Sequence, residues 1–155
     1  MKTQLLSTAV FSSSEIQIHY KRPLYSSMVH ITCAEDADRV LREFLNPNQL
    51  DLKECFWVLL LSRASRLLGI SLISVGEVSG VAVNIKEIFQ LSLLTHASSV
   101  IVAHNHPSGN LEPSKNDIKM TEKIAHGLSL LEVTLLDHIV ITSEGFTSFA
   151  NDGLL

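Results

Sequence analysis

Residues 103–117 read AHNHPSGNLEPSKND, a pattern in which a buried strand ends, the chain turns and a helix begins. The residues before it, 98–104, are apolar on both faces, which predicts a central strand. A proline and a glycine in the middle of the stretch turn the chain. Ser114 is a good helix N-cap, and Asp117 lies three residues later, as in a capping box. The stretch therefore predicts a strand–turn–helix unit.

This unit brings three potential metal ligands together. His104 and His106 are two residues apart at the end of a strand, so their side chains point to the same side of the sheet. Asp117 is expected in the first helical turn, where the positive end of the helix dipole keeps a carboxylate ionised. Two imidazoles and one carboxylate leave a fourth tetrahedral position open for water, as in catalytic zinc sites. The spacing predicts one zinc ion per chain.

Each part of this pattern also has a simpler interpretation. A His-x-His pair at a strand end can face solvent, and Ser114 with Asp117 can be a capping box without a metal. For Ser114 the two interpretations are compatible, because a hydroxyl group has one donor and two acceptor sites. It can cap the helix and donate to an oxyanion beside the metal. The occurrence of all parts within one short stretch favours the metal site.

Attack of a water on a carbonyl also needs a proton acceptor, and Glu54 is the best candidate. Residues 55–61 read CFWVLLL and are apolar on both faces, which predicts a second buried strand. Glu54 directly precedes this strand and is in phase with Phe56 and Val58. A charge that merely ends a strand is the alternative interpretation, and spacing alone does not separate the two.

The remaining pattern predicts a one-domain α/β protein with a mixed sheet. Residues 67–75 are expected to form a hairpin with the strand at 55–61, and residues 135–142 another strand. Thr32 and Glu35 have the form of a capping box, and Asn84 is a second helix start.

The chain before the first helix is expected to be an extension. We predict that residues 1–26 pack onto a domain formed by residues 27–155. The alternation at residues 16–20 could make an edge strand of this extension.

Length and composition set broad limits on function. The chain has 155 residues, of which 46% are hydrophobic and 18% charged, as in one folded domain. The net charge is −4 and the lysine and arginine residues are scattered, which argues against a protein that binds nucleic acid through clustered positive charge. Apolar runs are too short to span a membrane, and the N-terminus is a poor secretory signal. Cys33 and Cys55 are too few for a disulfide framework, so we expect thiols and a cytoplasmic location.

Several other titratable residues are not assigned to the site. Asp137 and His138 are neighbours on a predicted strand, so they face opposite sides and cannot form a charge relay together. Glu77 is expected to be a loop charge. Four histidines lack ligand spacing and are expected on the surface or on helix faces: His19, His30, His96 and His126.

These motifs together resemble a known family pattern. The order of these motifs is similar to the pattern of the JAMM/MPN metalloproteases. That order is Glu54 before a buried strand, then His-x-His-Pro, then Ser114 and Asp117. Longer segments around these motifs resemble the RadC branch of that family. These segments are HNHPSG at 104–109, LDHIVI at 136–141, VNIKEIF at 83–89 and ASSVIVA at 97–103. The resemblance covers the chain from about Ser26 to the C-terminus.

The resemblance implies a fold, a site and an activity. The fold is the single-domain MPN fold, akin to that of the cytidine deaminases, with a mixed central sheet flanked by helices. The site has zinc on His104, His106 and Asp117, with Glu54 as general acid/base and Ser114 as oxyanion donor. The family's proteases cut peptide or isopeptide bonds, so a zinc-dependent amide hydrolase with a peptide or protein substrate is the leading hypothesis.

The name of the RadC branch also carries a role in DNA repair. Longer RadC proteins have an N-terminal helix-hairpin-helix region, a DNA-binding element whose hairpin needs glycines. No glycine precedes Gly69 in this sequence, which weakens the link to nucleic acid.

Other functions compete with amide hydrolysis. A base deaminase expects His-x-Glu and Pro-Cys-x-x-Cys, and the sequence contains neither. A metal-dependent nuclease more often uses paired metals on carboxylate-rich ligands, whereas ligands for one ion are visible here. A DNA-repair-associated or scaffold module that kept zinc for stability would need neither Glu54 nor Ser114.

Overall fold

The computed structural model describes residues 16–76 and 82–155, which form a five-stranded sheet with helices on both faces. In chain order the elements are α1 (Ala34–Phe44), β1 (Cys55–Leu61), β2 (Leu67–Val75), α2 (Ile85–Leu94), β3 (Ser99–Asn105), α3 (Lys115–Ser129), β4 (Thr134–Ile141) and β5 (Phe146–Ser148). Short 3-10 turns lie at Tyr25–Ser27 and Pro47–Gln49. The strand order is β2-β1-β3-β4-β5, and of these pairs only β3 with β4 is parallel. The predicted single-domain α/β fold with a mixed sheet is confirmed.

The two central strands are buried on both faces, as their continuous apolar runs predict. Alternate residues supply two core layers, one against α1 and one against α2 and α3. Trp57, Leu59, Ile101 and Ala103 belong to the α1 layer, and Phe56, Val58, Val100 and Val102 to the other. His104 follows in the second series, so its side chain lies on the α3 face of the sheet.

The segment before α1 differs from the sequence-based expectation. Residues 16–24 form no strand, and Ile16 and Ile18 are 91% and 72% exposed. An alternating pattern produces a strand only where one face is buried, and here neither side packs on the core. The Tyr20 hydroxyl donates to the carbonyl of Leu68 at 3.0 Å. The rest of the predicted extension, residues 1–15, lies outside the described residues, as do residues 77–81 with Glu77, which was expected to be a loop charge.

The start of α1 was predicted with the wrong cap. The helix begins after Cys33, whose side chain makes no capping hydrogen bond. Instead, the Asp36 carboxylate accepts from the backbone N–H of Thr32 at 3.0 Å and from its hydroxyl at 2.8 Å. Asp36 therefore takes the capping role that was expected for Glu35, because its shorter side chain brings the carboxylate directly to Thr32.

Among the described helices, none is long and apolar enough to cross a bilayer.

Candidate metal centre

The pairing of β1 with β3 brings the predicted site residues to one end of the sheet. The strands are antiparallel, and Phe56 is paired with His104. Continued two residues further, this register sets Glu54 across from His106, on the face of the sheet that carries His104. The His106 N–H donates to the carbonyl of Ile141 at 3.0 Å, so the chain stays against β4 just beyond the end of β3.

The three predicted ligands come together on the α3 face. The Nε2 atoms of His104 and His106 are 2.9 Å apart. The Asp117 carboxylate oxygens lie 3.4 Å from the Nε2 of His104 and 3.6 Å from that of His106. All three residues offer ligand atoms within 4.8 Å of one another, and the described residues contain no second cluster of this kind.

The start of α3 positions the carboxylate. The Ser114 Oγ accepts from the backbone N–H of Asp117 at 3.2 Å, and the Asp117 Oδ2 accepts from the backbone N–H of Ser114 at 2.6 Å. This reciprocal capping box is the one that the sequence predicts. It fixes the side chain of Asp117 and leaves Oδ1 directed toward His104.

The loop between His106 and α3 orients the second imidazole. The Nδ1 of His106 lies 2.6 Å from the carbonyl oxygen of Asn110, and a carbonyl oxygen only accepts hydrogen bonds. Nδ1 therefore carries the hydrogen, and Nε2 presents its lone pair to the cluster. The loop returns to His106 through a turn at Gly109, whose φ of 80° lies in the left-handed region that favours glycine.

The charges of the cluster are coupled. Burial alone would raise the pKa of Asp117, but the neighbouring imidazoles of His104 and His106 and the hydrogen bond from the Ser114 N–H outweigh it and hold this pKa well below its usual value. The carboxylate of Asp117 beside it raises the pKa of His106, against the opposing effect of burial. Asp117 is therefore an ionised carboxylate, the form in which a carboxylate binds a metal ion.

Glu54 and Ser114 lie in the same cleft beside the cluster. The cleft has a volume of about 320 Å³ and is lined by both residues together with His106 and Glu112. Glu54 is half-buried and Ser114 is exposed. Their predicted catalytic roles stay predictions, and both residues line the cleft that also borders His106. A more apolar cavity of about 230 Å³ lies on the α1 face and holds none of the predicted site residues.

Asn105, between the two histidines, has a role that the sequence analysis missed. Its side chain points to the α1 face and is fully buried. Its Oδ1 accepts from the N–H of Cys55, and its Nδ2 donates to the carbonyls of Leu50 and Lys53, all at 2.7 Å. A polar residue at an inward-facing position of an apolar strand was the available signal, because such a group needs buried partners.

His138 is the second residue that the sequence analysis missed. As predicted, it and Asp137 face opposite sides of β4: Asp137 accepts from the Ser148 hydroxyl at 2.6 Å. The His138 ring instead lies against His104, with its Nε2 at 2.7 Å from the Nδ1 of His104. Burial, with a smaller effect of His104, holds the pKa of His138 well below its usual value, so the imidazole is neutral.

The four histidines that were expected on the surface or on helix faces are all exposed: His19, His30, His96 and His126.

The donor set fits a zinc ion. Neutral imidazole nitrogens and an ionised carboxylate oxygen are common zinc ligands, and three protein ligands are the usual number in a catalytic site. His104 is buried, while the side chains of His106 and Asp117 are 16% and 17% exposed toward solvent. The cluster is thus enclosed on the sheet side and accessible from the cleft side.

The part of the chain that carries the cluster is similar to known proteins. The family model described as RadC-like JAB domain matches residues 31–154, which include every residue of the cluster and Glu54. A UPF0758 protein of Neisseria meningitidis is 43% identical over 97 residues, which are 63% of this chain and 43% of the relative. UPF0758 proteins of Flavobacterium johnsoniae and Porphyromonas gingivalis are 35% identical over 124 residues and 37% identical over 127 residues. These alignments cover 80% and 81% of this chain and 53% and 54% of the relatives. The chain spans about half the length of the curated relatives that it matches.

Proposed function

The chain belongs to the RadC-like JAB domain family, and we propose that it is a zinc-dependent hydrolase that cleaves a peptide or isopeptide amide bond. One observation carries the proposal: His104, His106 and Asp117 converge within 4.8 Å beside a cleft that also holds Glu54 and Ser114. A zinc site that served stability alone would require neither of the last two residues.

Zinc is the proposed ion, with one ion per chain. Two histidines and one carboxylate match the ligand set of known catalytic zinc sites. When bound, zinc supplies a Lewis acid that acidifies water and polarises a carbonyl group. Non-haem iron sites also use two histidines and one carboxylate, so elemental analysis has to identify the ion.

Glu54 is the proposed general acid/base. The β1–β3 register, continued two residues beyond the Phe56–His104 pair, sets it across from His106, and Glu54 lines the cleft beside the cluster. A half-buried carboxylate at this position can take a proton from the attacking water and return it to the leaving nitrogen. The amide nitrogen is a poor leaving group without that proton, so the same side chain serves both steps.

Ser114 is the proposed oxyanion donor. Its Oγ accepts the hydrogen bond from the Asp117 N–H, which uses a lone pair and leaves the hydroxyl hydrogen free. The side chain is exposed to the cleft, where this hydrogen can be donated to the carbonyl oxygen as negative charge develops on it.

A peptide or protein is the proposed substrate, and the cytoplasm the proposed location. The cleft carries the carboxylates of Glu54 and Glu112, and the whole chain has a net charge of −4. Such a surface disfavours the phosphate backbone of nucleic acid, whose binding depends on clustered cations. We therefore expect weak binding to duplex DNA at physiological salt. A tight complex that survives rising salt would contradict this part of the proposal.

The decisive experiment is an activity screen with matched metal-free protein. Protein loaded with zinc, the same protein stripped by a chelator, and the His106→Ala variant are incubated with peptide, isopeptide-linked and nucleic-acid libraries. We expect amide cleavage only in the zinc-loaded wild type. Cleavage of nucleic acid alone would favour a nuclease, and zinc binding without hydrolysis of any substrate would favour a scaffold module.

A further inference from the structure

We propose that Thr121 and His138 together set the tautomer of His104, so that the Nε2 of His104 carries a lone pair toward the other two ligands. The proposal rests on the proposed metal site, because it assigns a purpose to that lone pair. It makes Thr121 and His138 positioning residues, since neither belongs to the three-residue ligand cluster and both act through His104.

The hydroxyl group of Thr121 is the fixed starting point. Its Oγ1 lies 2.6 Å from the carbonyl oxygen of Asp117, one helical turn earlier in α3, and 2.6 Å from the Nδ1 of His138. The carbonyl has no hydrogen to donate, so the hydroxyl hydrogen must point to it. A lone pair of Oγ1 then faces His138, and the Nδ1 of His138 must carry the hydrogen between them.

His138 passes this constraint to His104. The side chain is fully buried, and its ring stacks on Phe149 with centroids 4.5 Å apart and meets Phe56 at 5.6 Å. In such apolar surroundings the imidazole is neutral and has a single ring N–H. With the hydrogen on Nδ1, its Nε2 is an acceptor. This Nε2 lies 2.7 Å from the Nδ1 of His104, so His104 donates from Nδ1.

The Nε2 of His104 is therefore left with a lone pair at the cluster. It faces the Nε2 of His106 at 2.9 Å and the Oδ1 of Asp117 at 3.4 Å. His106 reaches the same tautomer by a separate contact, the carbonyl of Asn110. Both imidazoles are thus set for metal binding before any ion arrives, each through its own acceptor.

Thr121 also connects two ligands that come from different elements. Its hydroxyl holds the carbonyl of Asp117, in the first turn of α3, and the ring of His138 on β4, which holds His104 on β3. A change at this hydroxyl is expected to affect both the tautomer of His104 and the turn that carries Asp117.

Thr121→Val and Thr121→Ser form the matched pair for the test. Valine has nearly the shape of threonine and lacks the hydroxyl, whereas serine retains it. Without the hydroxyl, the hydrogen of His138 can move to Nε2, where it opposes the Nδ1–H of His104. We expect zinc affinity, measured by competition with a chelator, to fall roughly ten- to a hundredfold in Thr121→Val. Thr121→Ser should stay close to the wild type.

The tautomer itself is measured by ¹⁵N NMR of the ring nitrogens in metal-free protein, above the usual titration range of histidine. We expect His104 to be protonated at Nδ1 in the wild type and in Thr121→Ser. Protonation of His104 at Nε2 in the metal-free wild type would overturn the proposal. So would a folded Thr121→Val protein that binds zinc as tightly as the wild type.

A second pair of variants probes His138 directly. His138→Gln can accept from the Nδ1 of His104 and donate to Thr121, so it should retain more zinc affinity than His138→Phe. Equal affinities in two folded variants would contradict the proposed role of His138.

Failure of the proposed function can be told apart from failure of this inference. If the wild type binds no zinc, the proposed metal site is wrong. The tautomer of His104, measured in the metal-free protein, still shows whether Thr121 and His138 set it.

Discussion

The side-chain oxygen of Asn105 accepts a hydrogen bond from the backbone N–H of Cys55 at 2.7 Å. Asn105 stands between the two histidines of the cluster, and Cys55 directly follows Glu54. The same carboxamide donates to the carbonyls of Leu50 and Lys53, also at 2.7 Å. One buried side chain therefore links the end of β3 to the segment that leads into Glu54, and this link sets the proposed base relative to the ligands.

Asn105→Asp should destabilise the protein. The variant keeps the size and the acceptor of asparagine but loses both donors, so the buried carbonyl of Leu50 and the partly buried carbonyl of Lys53 lose their hydrogen bonds. We expect the free energy of unfolding to fall by about 1–3 kcal/mol, the cost of leaving buried polar groups unsatisfied. Urea denaturation measures this, with the exposed Asn48→Asp as the control that changes little. Equal stability of the two variants would mean that the two hydrogen bonds donated by Asn105 contribute nothing.

Glu54→Gln separates a hydrolase from a protein that only holds zinc. Glutamine keeps the size of the side chain but cannot take a proton, so zinc occupancy should stay near that of the wild type. Hydrolysis should fall by roughly a hundred- to ten-thousand-fold, the usual effect of losing a general acid/base. Metal content and turnover are measured on the same preparation.

Glu112→Gln is the control for this experiment, because Glu112 is an exposed carboxylate that lines the same cleft. It should change neither metal content nor turnover. If Glu54→Gln loses its zinc, Glu54 is a ligand and not the base. If only Glu112→Gln loses activity, the wrong carboxylate has been assigned.

Elemental analysis of protein purified without chelator should find one zinc per chain. His104→Ala or His106→Ala should abolish binding, whereas His126→Ala, at an exposed histidine of α3, should not. If zinc binds the folded chain as proposed, a free concentration 100 times Kd should stabilise the wild type by about 2.7 kcal/mol. Thermal unfolding with and without chelator tests this. Two zinc ions per chain, or zinc retained by both ligand variants, would refute the site.

Asp36 should make the start of α1 sensitive to acid. Hydrogen bonds from the backbone N–H and hydroxyl of Thr32 lower the pKa of Asp36 from 3.8 to about 2. Because this pKa is lowered in the folded state, the stabilisation is fully present above about pH 4 and is lost as the pH falls to about 2. Asp36→Asn should therefore lower the Tm at neutral pH, and its difference from the wild type should shrink over that interval.

Glu35→Gln is the control for Asp36, because Glu35 is an exposed acid in the same first turn that makes no hydrogen bond to Thr32. Its effect on the Tm should be small. A difference between Asp36→Asn and the wild type that does not change between pH 4 and pH 2 would rule out the carboxylate as its source.

The sequence by itself determined the cluster of potential metal ligands, because each part of it is local. His104 and His106 share a face through the two-residue period of a strand, and Asp117 is fixed in its turn by the cap residue three positions earlier. The buried strands β1 and β3 were equally readable, since continuous apolar runs need no knowledge of their partners. Local periodicity misled at residues 16–20, where no apolar surface covers the alternating side chains.

Only the tertiary structure decided what surrounds the ligands. His138 contacts His104 across 34 positions of sequence, and Asn105 contacts Cys55 across 50, and no local pattern identifies either partner. The register that sets Glu54 across from His106 is likewise a choice among several pairings of two uniformly apolar strands. That choice depends on how distant segments pack and satisfy one another's buried polar groups. Periodicity shows which face a residue occupies, and packing alone selects the residue that it meets there.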